Sequence, residues 1–145
     1  MEPRDVARAA RRSIRIAEDR LRLGDALVVF AEGTRSRTGE MQPLLPGVAR
    51  YLTVPGCWIV PAAIVGSETL FPIDEAALNP VGIEVTIGRP VRVSSLIEAA
   101  RGNRRLMMDA IGVSIARLLP APYRGVYGEE RSDLDGPRRL VCELA

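Results

Sequence analysis

The stretch Phe30-Ala31-Glu32-Gly33-Thr34-Arg35-Ser36-Arg37 gathers the residue types that grip a phosphate or a polyol. Arg35 presents a planar fork that meets a phosphate through two hydrogen bonds. Thr34 and Ser36 add hydroxyl donors, and Gly33 permits a positive φ or a close backbone approach. Glu32, set among cations, either holds Arg35 in place or accepts a hydrogen bond from a sugar or glycerol hydroxyl. A solvated turn whose charges pair with one another accounts for the same residues. Residue chemistry alone leaves both readings open.

Two absences narrow the chemistry further. The 145 residues include no histidine, which removes His-type zinc sites, Ser-His-Asp triads and every histidine general base. There is no lysine either, so all 20 cationic side chains are arginine. The nearest substitute carboxylates beside expected loops are Glu32, Asp74 and Glu75, and none has the spacing of an acid–base pair. A net charge of +2 is too balanced to indicate a nucleic-acid binder. Cys57 and Cys142 are expected to be reduced thiols. No apolar run reaches the roughly 20 residues that span a bilayer, and the Arg-rich N-terminus has no apolar signal core.

The elements that must position the loop are legible in part. From Asp5 to Leu23, Val6, Ala10, Ile14, Ala17 and Leu21 recur at helical spacing, and Gly24 stands where a C-terminal cap belongs. Ala26 to Phe30 is apolar on both faces and reads as a strand covered on both sides of a parallel sheet. The polar loop from Glu32 to Glu40 thus leaves the carboxyl end of a strand, where ligands gather in open α/β sheets. Pro46-Gly47 opens a short helical stretch toward Thr53, which Pro55-Gly56 ends.

Trp58 to Val65 is a second apolar run, interrupted by Pro61, and the segment around Leu70 to Pro80 reads as a long loop. Ile83, Val85 and Ile87 alternate as in a strand with one wet face. Ser94 and Ser95 are placed to cap a short helix through Ala100. Leu106, Met107, Ala110, Ile111, Ile115 and Leu118 mark a last amphipathic helix closed by Pro120. Residues 1–127 then form one domain, and a loose tail follows over 128–145.

The 30–37 stretch resembles the third sequence block of the 1-acyl-glycerol-3-phosphate acyltransferase family, F-P-E-G-T-R-S, with Ala31 in place of the proline. Gly39 and then Leu45-Pro46-Gly47-Val48-Ala49 are similar to the family's continuation into a glycine-led helix. Val60-Pro61-Ala62-Ala63-Ile64 with Gly66 resembles its fourth block. Leu118-Leu119-Pro120 with Tyr123-Arg124-Gly125-Val126-Tyr127 is similar to bacterial members, so the resemblance runs from about Arg4 to Tyr127.

The resemblance implies acyl transfer from acyl-CoA or acyl-carrier protein to lysophosphatidate in phospholipid synthesis, with no metal or further cofactor. It implies that Glu32, Gly33, Thr34, Arg35 and Ser36 hold the acceptor, that Pro61 shapes an acyl or acceptor pocket, and that Arg4 is the remnant of a second phosphate-contacting block. The implied fold is α/β, a mixed and largely parallel sheet flanked by helices, with its first strands missing. The family's first block, H-x-x-x-x-D, supplies the general base and is absent, so the chain is expected to be inactive alone.

A second expectation is a pseudoenzyme that binds lysophospholipid through the same loop. A third is a membrane-surface module acting through Arg4, Arg8, Arg11, Arg12 and Arg15, whose positive face attracts phosphates. The implied location is peripheral, at the cytoplasmic face of a bacterial membrane, with no nucleic-acid partner.

Overall fold

The computed structural model describes residues 3–52, 54, 56–70 and 79–144, with side chains from Arg8 onward. The expected loop at 70–80 falls largely on 71–78, and with it Asp74 and Glu75 lie outside the described residues, as does Thr53. Helix α1 (Pro3–Arg22) forms on the expected spacing, with Ala17 buried and Ile14 and Leu21 half-buried. Gly24 ends it at φ +90°, and the Asp25 N–H reaches back to the Arg20 carbonyl. Glycine suits that left-handed position because it carries no Cβ. Arg20 and Asp25 pair at 2.5 Å across the same turn.

Residues 26–30 join no helix and no strand ladder among the described residues. They lie beside α1, and Val28 and Phe30 are 80% and 74% exposed. The expectation was a strand buried on both faces. The apolar run is present, but the neighbours that would cover its two faces are not supplied by the described residues. A 3₁₀ turn (Pro46–Tyr51) follows the polar loop and meets α1 where the Ser13 and Tyr51 hydroxyls come within 3.1 Å.

Pro61 divides the apolar run that follows. Strand β1 (Trp58–Ile59) precedes it and β2 (Ala62–Val65) follows it, each in its own two-stranded sheet. A single helical turn, α2 (Ser67–Leu70), follows β2. Strand β2 pairs antiparallel with β3 (Glu84–Ile87), with Ala63 opposite Thr86, and β1 pairs antiparallel with β4 (Val91–Arg92). The described strands therefore form two small antiparallel ribbons. The parallel sheet that was expected does not appear among them.

Strand β3 also differs in which side is wet. Val85 and Ile87 are 55% and 61% exposed, and the buried side carries Thr86 and Ala63 instead. The small Ala63 side chain brings the ribbon close to the main core, which includes Met108, Val113 and Ala116.

That core is built on α4 (Arg104–Ala116), capped by the Asn103 side chain accepting from the Leu106 N–H. Met108 is fully buried at its centre. Helix α3 (Val93–Ala99), preceded by Arg92 rather than capped by Ser94 or Ser95, packs Leu96 into a second cluster with Ala110 and Leu140.

The tail is not loose. After a turn at Ser132–Leu134, helix α5 (Asp135–Leu144) lies on α4 with Pro137 and Leu140 buried. Arg138 fastens the turn by donating to the Gly128 and Arg131 carbonyls, each at 2.8 Å. Leu140, Val141 and Leu144 are the few large apolar residues of α5, a pattern too brief to stand out from the surrounding charges.

Replacing Leu140 with alanine should cost about 2–5 kcal/mol in chemical denaturation, as for other buried leucines. A loss below about 0.5 kcal/mol, the level of a surface change, would mean that α5 does not pack.

Candidate functional site

The polar loop is tied at its base before it turns outward. The Leu45 N–H donates to the Ala31 carbonyl at 2.9 Å, and Gly33 folds back onto the Phe30 carbonyl at 3.0 Å. Gly33 holds φ +75°, and a Cβ there would run into the Leu45 side chain. Glu32 is half-buried, and its Oε2 accepts the Gln42 N–H at 2.8 Å. At the tip the Ser36 hydroxyl accepts the Thr38 N–H, and the Thr38 hydroxyl accepts the Glu40 N–H, both at 3.3 Å. Thr34 and Arg35 are exposed and Ser36 is half-buried.

The returning strand of the loop is clamped by the C-terminal part of the domain. The Met41 N–H donates to the Tyr123 carbonyl at 2.9 Å, and the Met41 carbonyl accepts from Val126 at 3.2 Å. Gly125, at φ +47°, lies so close to the Met41 backbone that a Cβ would overlap it. The Tyr127 hydroxyl accepts the buried Leu44 N–H at 3.0 Å and donates to Asp109 Oδ1 at 3.3 Å. Arg105 holds that carboxylate through its other oxygen at 2.8 Å. The Tyr127 ring rests on Gly112, where a Cβ would enter the ring.

Burial pushes the Tyr127 phenol above its ordinary value, with Asp109 adding to the shift and the Leu44 hydrogen bond opposing it. Tyr123 donates to Glu68 at 2.8 Å, and that bond raises the Tyr123 pKa. Glu68 in turn is held below its usual value, first by a backbone N–H, against the opposing push of partial burial.

Glu32, Gly33, Thr34, Arg35 and Ser36 thus stand together on one anchored loop. Pro61 stands elsewhere: it is buried, its carbonyl accepts the Gly88 N–H at 2.8 Å, and it lines a cavity whose wall contains none of residues 30–37. Arg4 belongs to α1, and its side chain lies outside the described residues.

The residues that hold the loop were not all foreseen. Tyr123 grips Met41 through its backbone carbonyl and Tyr127 grips Leu44 through its hydroxyl. A glycine inside a helix, Gly112, marks the close approach of the Tyr127 ring. Nothing in the sequence singled out Gln42 as the partner of Glu32.

Residues 3–65, which include α1, the anchored loop and both strands flanking Pro61, match the family model described as Acyltransferase. No curated protein and no solved structure gave a significant match. The family match supports an acyltransferase and acyl transfer as the general chemistry.

Tyr127→Phe removes the acceptor of a buried N–H and should destabilise the fold by about 1–3 kcal/mol. The phenol's pKa is raised on folding, so its contribution is complete below the unfolded value near 10 and declines as pH rises past it. Urea denaturation between pH 8 and pH 11 should show that alkaline decline in the native chain and a smaller one in Tyr127→Phe. Parallel pH profiles would exclude Tyr127 as its source.

Proposed function

We propose that this chain supplies the acceptor-binding part of a glycerolipid acyltransferase, with lysophosphatidate as acceptor and an acyl-CoA or acyl-carrier-protein thioester as donor. The observation that carries this reading is the anchored Glu32–Ser36 loop inside the segment that matches the acyltransferase family. Arg35 meets the acceptor phosphate through its guanidinium fork, and the Thr34 and Ser36 hydroxyls add donors beside it. Gly33 lets the backbone approach the ligand. Glu32 shapes the loop through Gln42, and its carboxylate is proposed to accept from a glycerol hydroxyl.

In the reaction, the acceptor's hydroxyl oxygen attacks the thioester carbonyl. The C–S bond breaks, the thiol leaves, and the hydroxyl proton passes to a base. No histidine of this chain can take that proton. The base is proposed to come from polypeptide beyond these residues, and the exposed apolar run at 27–30 offers a surface on which such a segment could pack.

A peripheral membrane setting is supported by exposed arginines on α1 and by exposed Trp58, Val60 and Ile64, which suit an anionic, partly apolar surface. Among the described residues, no helix is long and apolar enough to cross a membrane.

The 145-residue chain should bind lysophosphatidate, and Arg35→Ala should weaken binding at least about tenfold, the worth of one charge-assisted hydrogen bond. It should form no acylated product from acyl-CoA. Product formation would place a working base within the chain, and unchanged binding by Arg35→Ala would remove the loop from the acceptor site. The mass of the native polypeptide then separates enzyme from binding module. A mass well above 15.8 kDa supports the enzyme, and one equal to it favours a lysophospholipid-binding protein.

A further inference from the structure

The C-terminal part of the chain gathers arginines away from the polar loop. Arg117 at the end of α4, Arg124 before Tyr127 and Arg138 on α5 line one cavity of about 310 Å³. Among the described residues, Glu129 is the only carboxylate in its wall. The apolar part of the wall is Val113, Ala116 and the Tyr127 ring, too small an area to cover an acyl chain. No residue of the 30–37 loop, and none of the segment that matches the acyltransferase family, lines this cavity.

Two of the arginines are held in place by backbone carbonyls. Arg124 donates from Nε to the Leu119 carbonyl at 3.0 Å, and Arg138 donates to the Gly128 and Arg131 carbonyls, each at 2.8 Å. A carbonyl fixes the direction of a guanidinium but supplies no formal negative charge. The carboxylates that do supply one, Glu129 on Arg124 and Asp135 on Arg138, are largely exposed, where water screens them. Arg117 donates to the Cys142 sulfur at 3.4 Å, a weak acceptor. Of the five N–H groups on a guanidinium, Arg117 engages one and Arg124 two in these contacts. The cavity therefore holds an excess of positive charge on forks already set in direction, with donors to spare.

We propose that this cavity binds a doubly charged oxyanion, as free phosphate or as the phosphate monoester of a small water-soluble molecule. Three planar forks from three elements can surround a tetrahedral oxyanion with charge-assisted hydrogen bonds. The volume stands at the lower end of the roughly 300–1,000 Å³ of small-molecule sites and leaves room for a compact organic body against Val113 and Ala116. A bound anion joins α4, the Tyr127 segment and α5, and so stabilises their packing. The inference does not depend on the acyl-transfer reading, since the two sites share no residue.

The full 145-residue chain carrying Arg35→Ala keeps the polar loop from contributing to the measurement. Its calorimetric titration with inorganic phosphate and with ribose 5-phosphate, at constant ionic strength, should give saturable one-to-one binding for at least one of them. The tighter ligand identifies the source as the free ion or a monoester. Sodium chloride over the same range should give no saturable heat. Adding Arg117→Glu should weaken the tighter ligand at least about tenfold, and adding Glu129→Gln should instead strengthen it at least about threefold. Both positions are exposed, so both variants should fold, and circular dichroism checks that they do.

A merely structural role for these two residues would not move affinity in opposite directions. The proposal is overturned if neither phosphate compound saturates, if chloride binds as they do, if Arg117→Glu leaves affinity unchanged, or if Glu129→Gln fails to raise it.

Discussion

The seating of Tyr127 on Gly112 is the constraint on which the arrangement of the loop depends. The ring can lie against α4 only because position 112 carries no side chain, and this places the hydroxyl between the Leu44 N–H and Asp109. One phenol therefore joins the central helix, the C-terminal segment and the returning strand of the polar loop. A buried N–H without an acceptor costs about 1–3 kcal/mol, so the loop has a strong reason to close in this register. With Leu44 fixed, Leu45 meets Ala31 and Gln42 meets Glu32, so the loop leaves its base in a set direction.

The same helix divides the molecule into two kinds of surface. Its inner face is made of methionine and small residues, which admit the tyrosine ring and the Ala63 strand closely. Its other face, with Met107, Ala110 and Ile111, packs against Leu96 and Leu140 and borders a cavity. The positioning of the loop and the lining of the cavity thus depend on one element without sharing an α4 face. A substitution that moves α4 would disturb both, whereas one at Arg35 acts locally.

Local signals in the sequence foretold α1, its Gly24 cap and α4, because helical periodicity and a left-handed glycine are decided within a few residues of chain. Three features needed information that local pattern does not hold. The Val85 and Ile87 alternation predicts a strand but not which side is buried, and here the small Ala63 and Thr86 set the contact. Residues 26–30 are apolar enough to be buried, yet burial requires a neighbour that the described residues do not provide. Helix α5 hides its few apolar positions among charges that Arg138 and Asp135 use for local pairing. Of the loop, the residue types were readable, but its anchors, Gln42 and Tyr127, come from backbone geometry and from a contact across 83 residues.

The electrostatics of the site argue for a division of labour between binding and proton transfer. An effective general base has a pKa near the working pH. Around the loop the pKa values move the other way: Tyr123 and Tyr127 are pushed up, so both stay protonated, and Glu68 is pushed down, so it is a weaker base. Glu32 already accepts a backbone N–H and serves the shape of the loop. General-base catalysis contributes about 10²–10⁴-fold, and the shifts of Tyr123, Tyr127 and Glu68 run against supplying it. Glu32, through Gln42, and Tyr127, through Leu44, fix the base of the loop, while the Ser36 and Thr38 hydroxyls fix its tip. On the proposed reading these groups therefore serve the shape of the loop, and the proton acceptor of the acyl-transfer step is not among Tyr123, Tyr127 and Glu68.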